Sequence, residues 1–505
     1  MRLKEAWTKR EEWNKDYFIP SYNRETIKAN TIKAPIWLHF GAGNIFRAFI
    51  AAAMDDLLEQ RLCDKGIIVC EDFDKELVKL VYEPYDSLSL LVTLKADGNI
   101  DKRVIGSVIE AVTETNEMKT LFCMPSVQIV SFTITEKGYT GPLMRKIAEL
   151  CLERYNSGAY PIALVSMDNC AHNGELLSKE VIKHAQALVT EGRTDEGFLQ
   201  YLCDEKRVTF PWSMIDKITP RPDETVKRIL DNDGFEDTQQ FITERNTYTA
   251  PYVNAEETQY LVIEDKFPNG RPQLEAAGIM FSDRETVDKI EKMKVGTCLN
   301  PLHTALAIFG CLLDYKTIHD EMGDEQLKKL VWQLGFNEGM PVVENPGIIK
   351  PEQFLSDVLN KRLPNPFMPD SPQRIATDTS QKLPIRFGHT LRSYAINPEL
   401  SVSNLTIIPL VFAGWLRYLM GVNDDGKEFT RSNDPRLDEM SVFMNGIEIG
   451  KELISEDSLN VLLQDQSIFS IDMNKYGLTK KVIGMFKEMI TEKGAVRETL
   501  RKYCK

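Results

Sequence analysis

The chain has 505 residues, 43% of them hydrophobic and 27% charged, and its 75 acidic and 61 basic residues give a net charge of −14. A composition near the globular average argues against disorder, and the acidic balance argues against a nucleic-acid partner. The longest apolar stretch, residues 405–416, is too short to span a bilayer and contains Pro409. These features predict a soluble protein of two or three domains with no membrane partner.

The cysteines and the N-terminus indicate the compartment. There are nine cysteines, an odd number, and no pair has the short spacing of a zinc site. The N-terminal residues 1–13 are charged throughout and do not resemble a secretory signal. We therefore expect reduced thiols and a cytoplasmic location.

In chain order, the first half alternates short β-branched runs with amphipathic helical stretches. The predicted strands are residues 36–40, 67–71, 127–135 and 162–168. After Ser282 the pattern changes to long helical periodicity, and Ser282 with Glu285 predicts a capping box at the start of a helix. We predict an α/β fold: a Rossmann-type dinucleotide-binding domain over residues 1–282, followed by a mainly α-helical domain over residues 283–505.

A glycine-rich turn follows the first strand of this predicted sheet. Gly41 permits a tight turn, and Gly43 lets the backbone approach a pyrophosphate at the N-terminus of the next helix. Phe46 replaces the third glycine of the usual fingerprint, so we expect looser packing of that helix on the strand. The predicted cofactor-binding residues of this segment are Gly41, Gly43, Asn44, Ile45, Phe46 and Arg47.

The next predicted strand ends on Glu71. An acid at this place accepts hydrogen bonds from the adenosine ribose and repels a 2′-phosphate, which predicts NAD as the cofactor. The alternative is that Glu71 and Asp72 only open a polar loop.

Two later strands end in polar clusters, residues 131–139 and 165–174. Ligands of an open parallel sheet bind beyond the carboxyl ends of its strands, so Thr135 and Asp168 are candidates for the cofactor site. Asn169 is a candidate donor to a substrate oxygen, with Asp168 bracing it. Taken singly, each of these residues is also an ordinary turn residue.

Polar side chains interrupt an apolar helical pattern that runs from about residue 291 to residue 313. Lys294 lies among apolar neighbours, where poor solvation makes a lysine a usable proton acceptor. Asn300 and His303 follow at positions suited to hold a developing alkoxide and neighbouring hydroxyls. The alternatives are a solvated lysine and a satisfied core histidine.

Seven ordered segments together resemble one family, the long-chain polyol dehydrogenases of the mannitol dehydrogenase type. These segments are residues 39–47, 133–139, 168–174, 210–220, 262–272 and 299–303, followed by residues 374–384. The resemblance implies a metal-independent, NAD-dependent oxidoreductase that acts on a secondary CH–OH group of a sugar acid or polyol.

The resemblance also implies roles for individual residues. Lys294 corresponds to the general base, and Glu291 to an acid that gates proton passage to it. Asn169 and Asn300 correspond to the pair that polarises the reacting oxygen. The implied substrate-binding residues are Asp216, His303, Arg374 and Lys382.

The chain departs from the family pattern beside the catalytic lysine. It has one residue more between Lys294 and Asn300, and Pro301 stands where a small residue is usual. Proline inside a helix removes a hydrogen bond. The insertion could be absorbed as a π-bulge, or Asn300 could cap a new helix with Pro301 at its first position. If the register is shifted, Lys292 is the rival base.

The substrate is a hexonate or a neutral polyol. A carboxylate calls for a bidentate arginine, and Arg386 adds a guanidinium beyond Arg374 and Lys382, although it could equally be a surface residue. We expect interconversion of D-mannonate and D-fructuronate, with the mannitol/fructose and altronate/tagaturonate pairs as alternatives. A different class of alternative is a non-catalytic protein that senses NAD or sugar, against which the retention of Lys294 and Asn300 argues.

Overall fold

The computed structural model describes residues 1–505 and divides into two compact units, residues 1–288 and 289–505. The division falls inside a helix that begins at Arg284, whereas the sequence placed the boundary near residue 282. All fifteen strands lie in the first unit. The second unit is built from helices, so the predicted order of an α/β domain and a mainly helical domain is confirmed.

Six parallel strands form the central sheet of the first unit, in the order β6-β3-β2-β7-β8-β9. This is the strand order of a doubly wound dinucleotide-binding sheet. The strands are β2 (Trp37–Phe40), β3 (Ile67–Cys70), β6 (Val108–Val112), β7 (Ile129–Phe132), β8 (Ile162–Ser166) and β9 (Val208–Thr209).

The remaining strands make three smaller sheets, which the sequence did not predict. A four-stranded sheet consists of β1 (Tyr17–Phe18), β4 (Ser89–Leu94), β5 (Ile100–Ile105) and β13 (Tyr252–Glu256). A three-stranded sheet consists of β10 (Ser213–Asp216), β14 (Tyr260–Glu264) and β15 (Met280–Ser282). A separate hairpin pairs β11 (Phe241–Ile242) with β12 (Tyr248–Thr249).

The helices of the first unit follow the strands of the central sheet. They are α1 (Arg24–Lys33), α2 (Ala51–Glu59), α3 (Lys75–Val81), α4 (Thr115–Phe122), α5 (Glu136–Tyr139), α6 (Pro142–Asn156), α7 (Asn173–Thr190), α8 (Glu196–Cys203) and α9 (Glu224–Asn232). Helix α10 (Arg284–Met293) crosses the division.

The second unit contains thirteen α-helices after α10. They are α11 (Asn300–Leu312), α12 (Ile318–Glu321), α13 (Glu325–Trp332), α14 (Pro351–Asp357), α15 (Pro372–Ile375), α16 (Thr379–Arg386), α17 (Gly388–Ile396), α18 (Ile407–Leu419), α19 (Leu437–Val442), α20 (Asp457–Leu463), α21 (Gln466–Phe469), α22 (Leu478–Met489) and α23 (Ala495–Tyr503). Four wide π-helical turns interrupt the helices of the chain, at Phe46–Ile50, Lys294–Cys298, Gln333–Gly339 and Val358–Arg362.

Two apolar cores cover the two faces of the central sheet. Alternate residues of a strand point to opposite faces, so Trp37 of β2 belongs to one core and Leu38 and Phe40 to the other. Both faces are buried, as expected when helices pack on each side of a parallel sheet. The fold thereby leaves the carboxyl edge of the strands as the place for a ligand.

The prediction that Ser282 caps α10 is wrong. Ser282 is paired in β15, opposite Glu264 of β14. The side chain of Asp283 accepts the hydrogen bond from the backbone N–H of Thr286, at 2.8 Å, and so caps the helix.

One helical segment, Arg284–Leu312, is long and apolar enough to meet the criteria for a membrane span. However, 83% of its most apolar window is buried inside the protein, as in a core helix. The apolar stretch noted in the sequence at residues 405–416 is α18, whose residues are all buried.

Candidate active site

The turn after β2 has the backbone shape that a phosphate-binding turn needs. Gly41 has a φ of +110°, and a Cβ on it would lie 2.6 Å from the carbonyl oxygen of Thr133. A Cβ on Gly43 would meet no protein atom within 4 Å. The space beside Gly43 is therefore open, and the residues of the turn fit a dinucleotide pyrophosphate.

Glu71 fastens this turn to the end of β3. One oxygen of its carboxylate accepts the backbone N–H of Ala42 at 2.7 Å, and the other accepts the N–H groups of Phe73 and Asp74, both at 2.9 Å. The residue is only 5% exposed. The sequence predicted a contact of Glu71 with the ribose; what the structure shows is that the carboxylate holds the glycine turn in place.

Hydrogen-bonded polar side chains on β2 and at the end of β7 lie next to the glycine turn. The ring nitrogens of His39 lie 2.6 Å from the Ser131 hydroxyl and 3.0 Å from the Thr133 hydroxyl. Phe46 stacks on His39, with 4.1 Å between ring centroids and 9° between planes. Burial lowers the pKa of His39 to about 3, so the imidazole is neutral at physiological pH. The bulk of Phe46 is thus accommodated by a buried stack and by the π-turn that begins at this residue.

Two predicted cofactor-binding residues are corrected by their burial. Phe46 is fully buried, and Arg47 is 1% exposed. The guanidinium of Arg47 donates to the Thr249 hydroxyl at 3.3 Å and to the Pro251 carbonyl at 3.0 Å. Both side chains point into the unit and stabilise the turn, so neither can line its open face.

Four other predicted residues lie at or soon after the ends of strands in the first unit. Asn44 begins the helix after the glycine turn and donates to the Tyr248 carbonyl at 3.4 Å. Ile45, partly buried, precedes the π-turn. Thr135 is exposed and occupies the N-cap position of α5 after β7, without a capping hydrogen bond from its side chain. Asp216, 4% exposed, ends β10 in the three-stranded sheet.

The end of β8 carries a buried carboxylate beside an exposed amide. Asp168 accepts the Tyr139 hydroxyl at 2.7 Å and the Cys170 backbone N–H at 3.0 Å. Burial raises the pKa of Asp168, while these hydrogen bonds oppose the rise. Asn169 is exposed. The turn that presents Asn169 is therefore held by Asp168, the bracing role expected from the sequence.

A π-turn lies between Lys294 and Asn300, as one of the two alternatives predicted. Residues Lys294–Cys298 form this turn, closed by a hydrogen bond of 3.1 Å from the Leu299 N–H to the Lys294 carbonyl. Pro301 lies in the first turn of α11, where its missing N–H costs no helical hydrogen bond. The other alternative is wrong in its residues, because Leu299, not Asn300, is the N-cap of α11, and Pro301 is the second residue of the helix.

The two candidate bases differ in environment. Lys294 is partly buried at the start of the π-turn, and Lys292 is exposed in the last turn of α10. Glu291 is partly buried one helical turn before Lys294. Lys294 is therefore the less solvent-exposed of the two candidates.

Four cationic side chains surround His303 in the second unit, namely Arg362, Arg374, Lys382 and Arg386. Burial and these positive charges, that of Arg386 foremost, lower the pKa of His303 to about 3. Its Nε2 atom is buried and lies 3.3 Å from an Asp370 carboxylate oxygen without the alignment of a hydrogen bond. A neutral imidazole with an unsatisfied nitrogen, near four cations and the Asp370 carboxylate, can hydrogen-bond to a polar ligand.

The cations of this cluster are fixed by short contacts. Arg386 donates from Nη1 to the Thr304 hydroxyl at 2.5 Å and lies 3.5 Å from the Asn300 carbonyl oxygen. Burial lowers the pKa of Arg386 to about 10, and burial with the charge of Arg386 lowers that of Lys382. Arg374 pairs with Asp370. The cluster brings together four of the predicted site residues: His303, Arg374, Lys382 and Arg386.

The residues that the sequence did not reveal mostly hold the side chains of predicted residues in place. Asp370 holds Arg374, Tyr139 holds Asp168, and Ser131 holds His39. One signal was available: His39 and Ser131 are opposite each other on neighbouring strands, and polar residues within apolar strands indicate a buried network. No group of three or more His, Cys, Asp or Glu side chains is arranged to hold a metal ion, and all nine cysteines are free.

Comparison with known families matches both parts of the chain. The model for the mannitol dehydrogenase Rossmann domain matches residues 35–276, and the model for the mannitol dehydrogenase C-terminal domain matches residues 286–490. The chain belongs to the mannitol dehydrogenase family. The chain is also 48% identical to the D-mannonate oxidoreductase of Thermotoga maritima, over 99% of both chains.

Solved structures of this family share the fold. A substrate-free D-sorbitol dehydrogenase superposes with a TM-score of 0.80 at 24% identity, over 98% of this chain and 99% of the other. A Pseudomonas fluorescens mannitol 2-dehydrogenase, solved with NAD and D-mannitol, superposes with a TM-score of 0.69 at 23% identity, over 99% of both chains. The two-part architecture described above is thus that of the mannitol dehydrogenase family.

The contacts of Glu71 predict a loss of stability when its charge is removed. A glutamine at this position would turn an amide N–H₂ toward backbone N–H groups, so Glu71→Gln should lower the free energy of unfolding by about 1–3 kcal/mol. Denaturant unfolding checks this value. Glu114→Gln is the control, because Glu114 is 76% exposed and has only a 4.0 Å ion pair. Equal stability of the two variants would show that Glu71 does not hold the turn.

Proposed function

We propose that this enzyme is an NAD-dependent D-mannonate oxidoreductase, which interconverts D-mannonate and D-fructuronate. The observation that carries the proposal is the cationic cluster around His303. Three arginines and a lysine converge there in a chain whose net charge is −14. Arg374 and Lys382 are implied by resemblance to a family that also takes neutral polyols, so the added guanidinium of Arg386 is what favours a hexonate carboxylate.

The nearly full-length similarity to a D-mannonate oxidoreductase supports the same substrate. The cofactor is supported by the open glycine turn at Gly41 and Gly43 and by the acid at the end of β3. It is supported further by a family member solved with NAD. NAD, when bound, accepts the hydride that leaves the substrate carbon.

The residues of the chain handle the proton and the orientation of the substrate. The ε-amino group of Lys294 accepts the proton of the reacting hydroxyl, with Glu291 gating its passage onward. The side-chain amides of Asn300 and Asn169 donate hydrogen bonds to the reacting oxygen. His303, Arg374, Lys382 and Arg386 bind the hydroxyl and carboxylate groups, and Asp216 binds a further hydroxyl.

A substrate panel tests the proposal. The purified chain is supplied with NAD and, in separate reactions, with D-mannonate, D-altronate, D-mannitol and D-arabinitol, and NADH formation is followed. We expect the highest kcat/KM with D-mannonate. A higher value with D-mannitol or D-altronate would reassign the substrate within the family, and no turnover of any compound would favour the non-catalytic sensor.

Arg386 should discriminate the carboxylate substrate from the neutral one. Arg386→Leu should raise the KM for D-mannonate by about tenfold or more, the loss expected for a charged hydrogen bond. The KM for D-mannitol should change little. Steady-state kinetics with both compounds measure the difference.

Thr304→Val is the matched control for Arg386→Leu. It removes the partner of Arg386 Nη1 but leaves the positive charge in place. We expect a small effect on both substrates. If Arg386→Leu impairs D-mannonate and D-mannitol equally, Arg386 only supports α11 and the carboxylate is bound elsewhere.

Lys294 should be indispensable for turnover but not for cofactor binding. Lys294→Ala should lower kcat by about 10²–10⁴-fold, the usual contribution of a positioned proton acceptor. Binding of NADH, measured by fluorescence titration, should be unchanged, because the glycine turn belongs to the other unit. Lys292→Ala should cost little. The reverse pattern would show that the π-turn places Lys292, and not Lys294, at the reacting hydroxyl.

A further inference from the structure

The hairpin β11–β12 contacts both the glycine turn and the segment that follows β3. The turn between its strands, residues 243–247, is tied to Asp74, which follows β3. The hydroxyls of Thr243 and Thr247 donate to one Asp74 oxygen at 2.7 and 2.6 Å. Asp74 is 5% exposed, so this anchor is sheltered from solvent.

The other end of the hairpin is tied to the glycine turn. Asn44 donates to the Tyr248 carbonyl, and Arg47 donates to Thr249 and Pro251. The hairpin therefore spans from the phosphate-binding turn to the end of β3. In a doubly wound sheet this is the path from the pyrophosphate to the adenosine of a dinucleotide.

An exposed aromatic ring lies at the far end of that path. Phe73 follows Glu71 by two residues and is 71% exposed, although its backbone N–H is bound by the buried Glu71 carboxylate. The guanidinium carbon of Arg245, at the tip of the hairpin, lies 5.0 Å from the centroid of the Phe73 ring. Most of the ring remains open to a second flat ring.

We infer that Phe73 and Arg245 form the adenine-binding surface of this enzyme, carried by the hairpin β11–β12. A purine stacks on a phenyl ring and on a guanidinium plane alike. The backbone of Phe73 is fixed by Glu71, and the tip of the hairpin that carries Arg245 is fixed by Asp74, so the surface is ordered before the ligand arrives. This inference rests on the proposed function only in that the cofactor contains adenosine.

Binding of ADP-ribose, which lacks the nicotinamide, tests the inference without turnover. Isothermal titration calorimetry on the full chain should show that Phe73→Ala weakens ADP-ribose binding by about 5- to 100-fold, the effect of losing one aromatic stacking partner. Arg245→Met should weaken it as well. Phe73→Trp should retain most of the affinity, which a merely structural role would not predict.

Phe18→Ala is the matched control. Phe18 is also exposed, at 47%, and also has an arginine, Arg103, 5.4 Å from its ring centroid, but it lies in β1 of the small mixed sheet. The Phe18→Ala variant should bind ADP-ribose with the affinity of the wild type. Equal affinities for the wild type, Phe73→Ala and Arg245→Met would overturn the inference. Loss of affinity in Phe73→Ala would support it even if D-mannonate were not the substrate, and a wild type that binds no ADP-ribose would overturn both proposals.

Discussion

The hydrogen bond from the Leu299 N–H to the Lys294 carbonyl sets the register of the catalytic helix. It closes a π-turn, in which the donor lies five residues after the acceptor instead of four, and this wider turn comes before Pro301. Every proposed group on the segment depends on that register. Asn300 begins α11, and His303 lies one turn later, where the cationic cluster surrounds it. An ordinary α-turn here would rotate Lys294 by about 100° relative to Asn300.

A comparable constraint acts in the first unit. The Glu71 carboxylate binds backbone N–H groups on two segments, and thereby links the glycine turn to the residues that follow β3. The hairpin β11–β12 makes a second link over the same distance through Asp74 and Asn44. Buried polar groups that all have hydrogen-bond partners make a site rigid, because breaking any one of these bonds leaves an unpaired buried group and costs free energy. The site is thus organised by the protein before a ligand binds.

The features that the sequence predicted well are those whose cause is local. Gly41 needs a positive φ in its own turn, and the four predicted strands are apolar runs that match β2, β3, β7 and β8. The π-turn could be anticipated because an insertion next to Pro301 leaves a helix few other solutions. The roles predicted for Arg374 and Lys382 came from the family resemblance, because hydrophobic periodicity says nothing about them.

The features that the sequence did not reveal depend on distant partners. Arg47 is a plausible phosphate ligand in its local motif, but its guanidinium is buried against Thr249, 202 residues later in the chain. Phe46 looks too large for its place until the neutral His39 is found stacked on it. The convergence of Arg362 and Arg386 on His303 likewise joins segments that are far apart in sequence. Motif spacing carries no information about such contacts, so burial and pairing have to be observed.

We propose that the ε-amino group of Lys294, held by the π-turn, accepts the substrate proton. Chemical rescue tests it most directly: small primary amines are added to Lys294→Ala during oxidation of D-mannonate by NAD. The account predicts that the rate rises with amine concentration and with amine basicity, because the free amine occupies the place of the missing base. Acceleration of Lys292→Ala with no acceleration of Lys294→Ala would contradict it.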